Sequence, residues 1–508
     1  MKQRRQPLST TSEWNFELLQ RYDEEIARIA HDVFQLDTYP NQIEVISSEQ
    51  MMDAYASVGM PVGYHHWSFG KQFVEVENRY RRGQMGLAYE IVINANPCIA
   101  YLMEENTMAM QALVIAHACY GHNSFFKGNY LFQTWTDASA IIDYLVFARR
   151  YIAQCEERHG VEHVERMLDS CHALMNYGVD RYKRPYPVSA ETERLRQQER
   201  EDALQQQVSE LWKTFPEMQP DIRRRVPIER YPAEPQENLL YFIEKNAPLL
   251  EPWQREIVRI VRKMAQYFYP QRQTKVMNEG WASFWHYTLL HELYNEGLVT
   301  DGFMFEVLQS HSQVIYQPPF DSPFYNGINP YALGFAMFRD IRRICEAPTA
   351  EDRHWFPDIA GSNWRETLTF AMQSFKDESF IQQFLSPAVI RDMKLFAVLD
   401  DDTDDHLAID AIHDEAGYRA VRQLLSEQYN LSISEPNIQV YQADVRGDRS
   451  LTLQHIRHDR RPLARDQAAD VMRHLYRLWQ FDVHLESVQD GRVVERLSIP
   501  PPAAEGSA

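Results

Sequence analysis

Apolar residues recur at three- and four-residue steps through residues 14–34, 97–120, 138–158, 163–176, 253–269 and 277–294, and the pattern changes to alternation after about residue 391. The first period is that of a helix and the second that of a strand, so the chain must build two kinds of core. The expected fold is mainly α: a large helical N-terminal body over residues 1–390 with short strands at 73–76 and 89–94, then a smaller α+β C-terminal module over 391–499. Within that module strands are expected at 394–399, 406–412, 437–445, 451–456, 481–487 and 493–499, with helices at 414–428 and 464–479. This ββαββαββ order reads as a duplicated unit, an antiparallel sheet with helices on one face. The acidic run 400–405 lacks the glycine and distal glutamate of an EF-hand and reads as a solvated hairpin tip. Residues 189–236 read as an exposed polar helix and a proline-dotted loop, and residues 500–508 as a disordered tail.

Charge and cysteine content narrow the function. Asp plus Glu number 72 against 52 Lys plus Arg, a formal charge of −20, which argues against nucleic acid or an anionic membrane surface as the main partner. The five cysteines (Cys98, Cys119, Cys155, Cys171, Cys345) are scattered without a Cys-x-x-Cys, so neither a disulfide framework nor a zinc ribbon is indicated. Polar residues follow the basic start where a signal peptide needs an apolar run, and no apolar stretch is long enough for a membrane span. The expected location is cytoplasmic.

Two segments concentrate chemistry. In residues 277–286, Met-Asn-Glu-Gly-Trp-Ala-Ser-Phe-Trp-His, Glu279 and His286 stand seven apart, almost two helical turns, and so share one helix face with Ser283 between them. In residues 97–122, Asn96 reads as an N-cap and Pro97 as the first residue of a long apolar helix that closes on His117 and His122. Five residues of regular α-helix turn the second imidazole well away from the first. A π-bulge, or a chain leaving the helix at Gly121, would bring both rings to one side. Glu104 and Glu105 fall inside the same apolar stretch, where an unpaired inward carboxylate is expensive. The bland readings stand beside these: independently hydrogen-bonded histidines, a core helix, and an aromatic cover at His65-His66-Trp67.

The motifs His117-Ala-Cys-Tyr-Gly-His122 through Asn129, Gln273 through His286, and Asn329-Pro-Tyr-Ala-Leu-Gly334 resemble those of the SpoVR family, named after stage V sporulation protein R. Tyr64 to Lys71, Tyr89 to Asn94 and Met103 to Thr107 match it too, so the resemblance runs from about residue 10 to about residue 500 and is nearest to the enterobacterial branch. It implies a part in sporulation or in stress and stationary-phase physiology. It also implies a serine protein kinase and a von Willebrand-type domain protein as partners.

The helical Asn-Glu-Gly-Trp-Ala further resembles the third-ligand helix of gluzincin metallopeptidases, which implies His117, His122 and Glu279 as metal ligands and His286 as a further ligand or proton carrier. The ion implied is divalent, zinc first, with iron open because two His and a carboxylate suit Fe(II) as well. One departure matters: gluzincins carry their general base directly after the first histidine, and Ala118 stands there. A hydrolase would need a substitute, for which the candidates are Glu105, Glu104, Glu90 and His66, with His311, Tyr325, Asn329 and Tyr331 as substrate contacts or structural loop residues. Two functions follow: a metal-dependent hydrolase of a peptide or peptidoglycan-like amide, or a non-catalytic assembly or signalling partner of the kinase and the von Willebrand-type protein.

Overall fold

The computed structural model describes residues 5–56, 63, 64, 66, 90–182, 231–319, 322–396, 398, 399, 408, 409, 412, 414–444, 447–458 and 461–499. The expected strand at 73–76, most of the polar segment 189–236, the acidic run 400–405 and the tail 500–508 lie outside the described residues.

The fold is mainly helical with a few strands in small sheets. Two compact units form, each from two stretches of chain: Met1–Asp169 with Lys263–Pro436, and Ser170–Arg262 with Asn437–Ala508. The first unit holds the helices expected at its start and around the Glu279 motif, observed as Phe16–Arg28 and Lys275–Asn295. Its core gathers Tyr22, Phe125, Trp281, Phe338 and Phe380, all fully buried. Residues 391–436, expected in the C-terminal module, sit with this helical unit. Leu425 joins its core, and Leu395, Phe396, Tyr418, Val421 and Tyr429 pack against it.

The apolar run after Pro97 is not one helix. Cys98–Met103 forms strand β3, the centre of a three-stranded sheet in which β1 (Asn41–Ile46) pairs with it in parallel and β2 (Glu90–Ile93) antiparallel. A strand covered on both sides reads as a continuous apolar run, and periodicity alone cannot separate that from a buried helix. The helix starts later, at Met108–Ile115, where the Thr107 side chain accepts from Met110 N. Glu104 and Glu105 therefore lie in the turn between strand and helix, both exposed, and not on an apolar helix.

At its far end this helix passes into a π-helix, Ala116–His122. Five α-helical residues rotate a side chain by about 500°, leaving the second ring about 140° from the first. A π-turn closes its hydrogen-bonded turn over five residues instead, so His117 and His122 return to one side. The turn lies hard against the Lys275–Asn295 helix: a Cβ on Gly121 would stand 2.6 Å from Ala282 Cα, so only glycine permits the approach. A further pair of glycines holds that helix to Pro330–Glu346, since a Cβ on Gly334 would stand 2.7 Å from Gly280 Cα.

In the second unit one sheet runs β6-β7-β8-β9, with β6 Asn437–Ala443, β7 Leu451–Ile456, β8 Val483–Gln489 and β9 Arg492–Ile499. The helix expected at 464–479 is Arg465–Trp479. The all-antiparallel expectation fails at the centre, where β7 and β8 pair in parallel. The reason is the intervening helix: it carries the chain back to the starting end, as a parallel pair requires. β4 (Val398–Leu399) and β5 (Ala408–Ile409) form a separate antiparallel pair in the first unit, so the ββαββαββ order is not a duplication within one sheet.

Candidate metal centre

Three elements of the first unit bring two imidazoles and two carboxylates together. The π-turn supplies His117 and His122, β2 supplies Glu90 at its first residue, and the Lys275–Asn295 helix supplies Glu279. His117 Nε2 lies 3.2 Å from Glu90 Oε1 and 3.8 Å from Glu279 Oε2; His122 Nε2 lies 3.5 Å from Glu279 Oε2 and 4.0 Å from Glu90 Oε1. Glu90, His117 and His122 each offer one donor atom within 4.8 Å of the others.

The two histidines are buried, whereas the Glu90 and Glu279 side chains keep 19% and 18% exposure, so the cluster is largely withdrawn from solvent. Each imidazole is held from behind. His122 Nδ1 lies 2.9 Å from Asn278 Oδ1, an acceptor, which holds a proton on Nδ1 and turns Nε2 toward the centre. His117 Nδ1 lies 2.8 Å from His286 Nδ1. Ring stacking fixes the planes, with Tyr331 on His117 at 6.3 Å and Phe126 on His122 at 5.9 Å.

The support of Glu279 is equally specific. Asp377 accepts from Val276 N at 2.9 Å and Met277 N at 2.8 Å, capping the helix start just before Asn278 and Glu279. Trp281 Nε1 donates to Ser124 Oγ at 2.9 Å, and Ser124 Oγ donates to Gly121 O at 2.9 Å, which ties the helix to the π-turn.

Burial and charge drive Glu279, Glu90, His122 and His286 apart in acidity. Burial alone would raise Glu279, but His117 and His122 hold it well below the usual carboxylate range. Glu90 goes the other way: burial raises it, Glu279 raises it further, and the two histidines only partly oppose this. Burial works against a charged His122, yet Glu279 and Glu90 carry its pKa up to about 9. Burial lowers His286 well below its ordinary value, with His117 and His311 adding to the shift.

The donor set fits a cation. Glu90 Oε2 and Glu279 Oε2 are buried with no hydrogen-bond partner among the described residues, the state in which carboxylate oxygens call for a cation. His117 Nε2 and His122 Nε2 stand 3.8 and 3.5 Å from Glu279 Oε2, near the edge of about 3.3 Å of a tetrahedron with bonds of about 2.0 Å, while the donors that all lie within 4.8 Å of one another are those of Glu90, His117 and His122.

Of the expected ligands, His117, His122 and Glu279 converge and His286 does not aim at the centre. Its Nδ1 faces His117 and its Nε2 lies 2.7 Å from His311 Nδ1, so both ring nitrogens are engaged by imidazoles. A separation of 2.8 Å is also shorter than the tetrahedral edge, so no single ion can bind both facing nitrogens.

Of the expected bases, Glu90 is the one brought to the cluster. Glu105 Oε1 accepts from Ser48 N, and Glu104 offers its carbonyl to Trp14 Nε1. His66 Nε2 lies 3.2 Å from Asp169 Oδ1. His311 is buried behind His286 instead of at a substrate face, and Asn329 caps the Pro330–Glu346 helix while donating to Val314 O and Tyr316 O, a structural role. Sequence reasoning missed Asn278, whose signal was its place beside Glu279. It also missed the His286–His311 contact, which no spacing announces.

The description "SpoVR like protein" matches residues 13–434, and "SpoVR-like C-terminal domain" matches residues 436–490. The chain is 65% identical over 495 residues to the protein of Escherichia coli (strain K12) described as "Uncharacterized protein YcgB", covering 97% of this chain and 96% of that one. No solved structure matches it. Among the described residues no helix is long and apolar enough to cross a membrane. With matches spanning nearly the whole length and the site motifs lying inside them, this chain belongs to the SpoVR family.

Proposed function

We propose that the cluster is a divalent metal centre and that the chain is a metal-dependent hydrolase of a peptide or peptidoglycan-like amide. The observation that carries this reading is the convergence of His117 Nε2, His122 Nε2, Glu279 Oε2 and Glu90 Oε1, with nitrogen-to-oxygen separations of 3.2 to 4.0 Å. Zinc is the first ion to test and Fe(II) the second, because two imidazoles and the Glu279 carboxylate suit both, with Glu90 beside them left free to act as the base. When bound, such an ion supplies a Lewis acid that polarises an amide carbonyl.

The opposite shifts of the two carboxylates divide the work. Glu279 stays anionic and serves as ligand; Glu90, raised in pKa, is suited to take up and return a proton. It thereby fills the role that Ala118 cannot. Asn278 keeps His122 in its ligand tautomer, and Tyr331 walls the His117 side.

The missing carboxylate at position 118 supports a second reading, in which the ion is structural and the chain is a non-catalytic partner of a serine protein kinase and a von Willebrand-type protein. Paired variants separate the two. Under the hydrolase reading, Glu279→Gln loses both ion and activity on amide-linked stem peptides, while Glu90→Gln keeps the ion and loses activity by roughly 100-fold or more. Full cellular function in both variants would refute the hydrolase reading.

A further inference from the structure

Behind the metal centre lies a series of three imidazoles, the last of which, His311, comes from a different helix, Asp301–Val314. His117 Nδ1 stands 2.8 Å from His286 Nδ1, and His286 Nε2 stands 2.7 Å from His311 Nδ1. The three rings are 3%, 0% and 4% exposed. Tyr287 and Phe335 pack on His311 with ring centroids at 4.9 and 4.7 Å, which holds its plane.

At these separations each nitrogen pair shares one proton, since two facing N–H groups clash and two facing lone pairs repel. Only two arrangements of three neutral rings meet that condition at both contacts. In one, the protons sit on His117 Nδ1, His286 Nε2 and His311 Nε2, and His117 Nε2 is a bare lone pair facing the carboxylates. In the other, they sit on His117 Nε2, His286 Nδ1 and His311 Nδ1, and His117 donates toward Glu90. Only the first makes His117 a metal ligand. It requires an acceptor for the His286 Nε2 proton, and that acceptor is His311 Nδ1.

Resting on the metal reading above, we propose that His311 is a positioning residue: by accepting from His286 it sets His286, and through it His117, in the tautomer that offers Nε2 to a divalent cation. His122 has its own device in Asn278, so the two ligand histidines are oriented independently. His311 touches no substrate in this account; it acts through two other rings.

The test uses full-length protein and two substitutions that differ in one property. His311→Gln keeps an acceptor oxygen for the His286 proton; His311→Phe keeps a flat ring and removes the acceptor. Zinc and cobalt affinities by chelator competition are expected to stay within roughly threefold of wild type for Gln and to fall roughly 10- to 100-fold for Phe. A measurement on the wild type needs no variant to fold: 15N spectra of histidine-labelled, zinc-loaded protein should show His286 protonated on Nε2. Wild-type affinity in the Phe variant, or His286 protonated on Nδ1 with zinc bound, overturns the assignment while leaving the metal centre standing. A wild type that binds neither ion overturns both.

Discussion

Replacing Gly334 by Ala is expected to part the helix pair that carries Glu279. A Cβ there would stand 2.1 Å from Val276 O and 2.7 Å from Gly280 Cα, both of them backbone atoms that cannot swing aside. Ordinary contact is about 3.5 Å, so the two helices must separate by about 1 Å. Overpacking of this kind costs about 1–3 kcal/mol, and the better helix propensity of alanine returns at most about 1 kcal/mol. Because Glu279 is the neighbour of Gly280, the shift reaches the cluster, and about 1 Å is several times the roughly 0.2 Å tolerance of a metal bond. Thermal melting and zinc competition on the full chain read the two effects separately. Gly302→Ala is the control: a Cβ there meets only Thr300 Oγ1 at 3.9 Å, so the same chemical change should be neutral or stabilise by up to about 1 kcal/mol. If Gly334→Ala melts with the wild type and binds zinc as tightly, close helix approach is not what places Glu279.

Three other outcomes are expected. Arg422 is 9% exposed, lies over Trp355 and Phe356, and has Nε and Nη2 without a hydrogen-bond partner among the described residues; Arg422→Met should therefore raise stability by about 1–2 kcal/mol in a urea titration. Asp352 accepts from both terminal nitrogens of Arg343 at 2.7 Å and from Thr349 N and Oγ1, so Asp352→Asn should cost about 1–3 kcal/mol by the same measurement. Burial, with His291, His117 and Arg339, lowers His311 to about 4. With its folded pKa below the unfolded value of about 6.5, the unfolded state binds more protons between the two, so stability is lost as pH falls from about 6.5 to 4, by up to roughly 3 kcal/mol. Melting of the metal-free chain across that range should show the loss, and His311→Gln should remove the His311 share of it while the share of His286 remains.

The sequence carried the local patterns well and the long-range pairings poorly. Helical periodicity located the Glu279 helix, and the five-residue spacing of His117 and His122 with Gly121 announced a local departure from α-geometry, which the π-turn supplies. Cys98–Met103 misled because a strand with side chains buried on both faces loses the alternation that marks a half-exposed one. That error carried Glu104 and Glu105 inward, when both lie in an exposed turn. Glu90 was one of four equal candidates until β2 placed it opposite His117, 27 positions away along the chain. His286 was assigned to the centre by its shared face with Glu279, but a shared face does not fix which neighbour a ring meets, and His311 is the neighbour it meets on its far side. The division into two units, each from two stretches of chain, follows from packing between distant segments, which no local period encodes.

The most direct test of the metal centre is the metal content of the full-length chain, purified without chelator and analysed by inductively coupled plasma mass spectrometry beside Glu279→Gln and His122→Gln. About one zinc or iron ion per wild-type chain is expected, with most of it lost in both variants and the fold retained by circular dichroism. Wild-type protein that takes up neither ion after incubation with zinc or with Fe(II) under anaerobic conditions, or variants that keep the full complement, would contradict it.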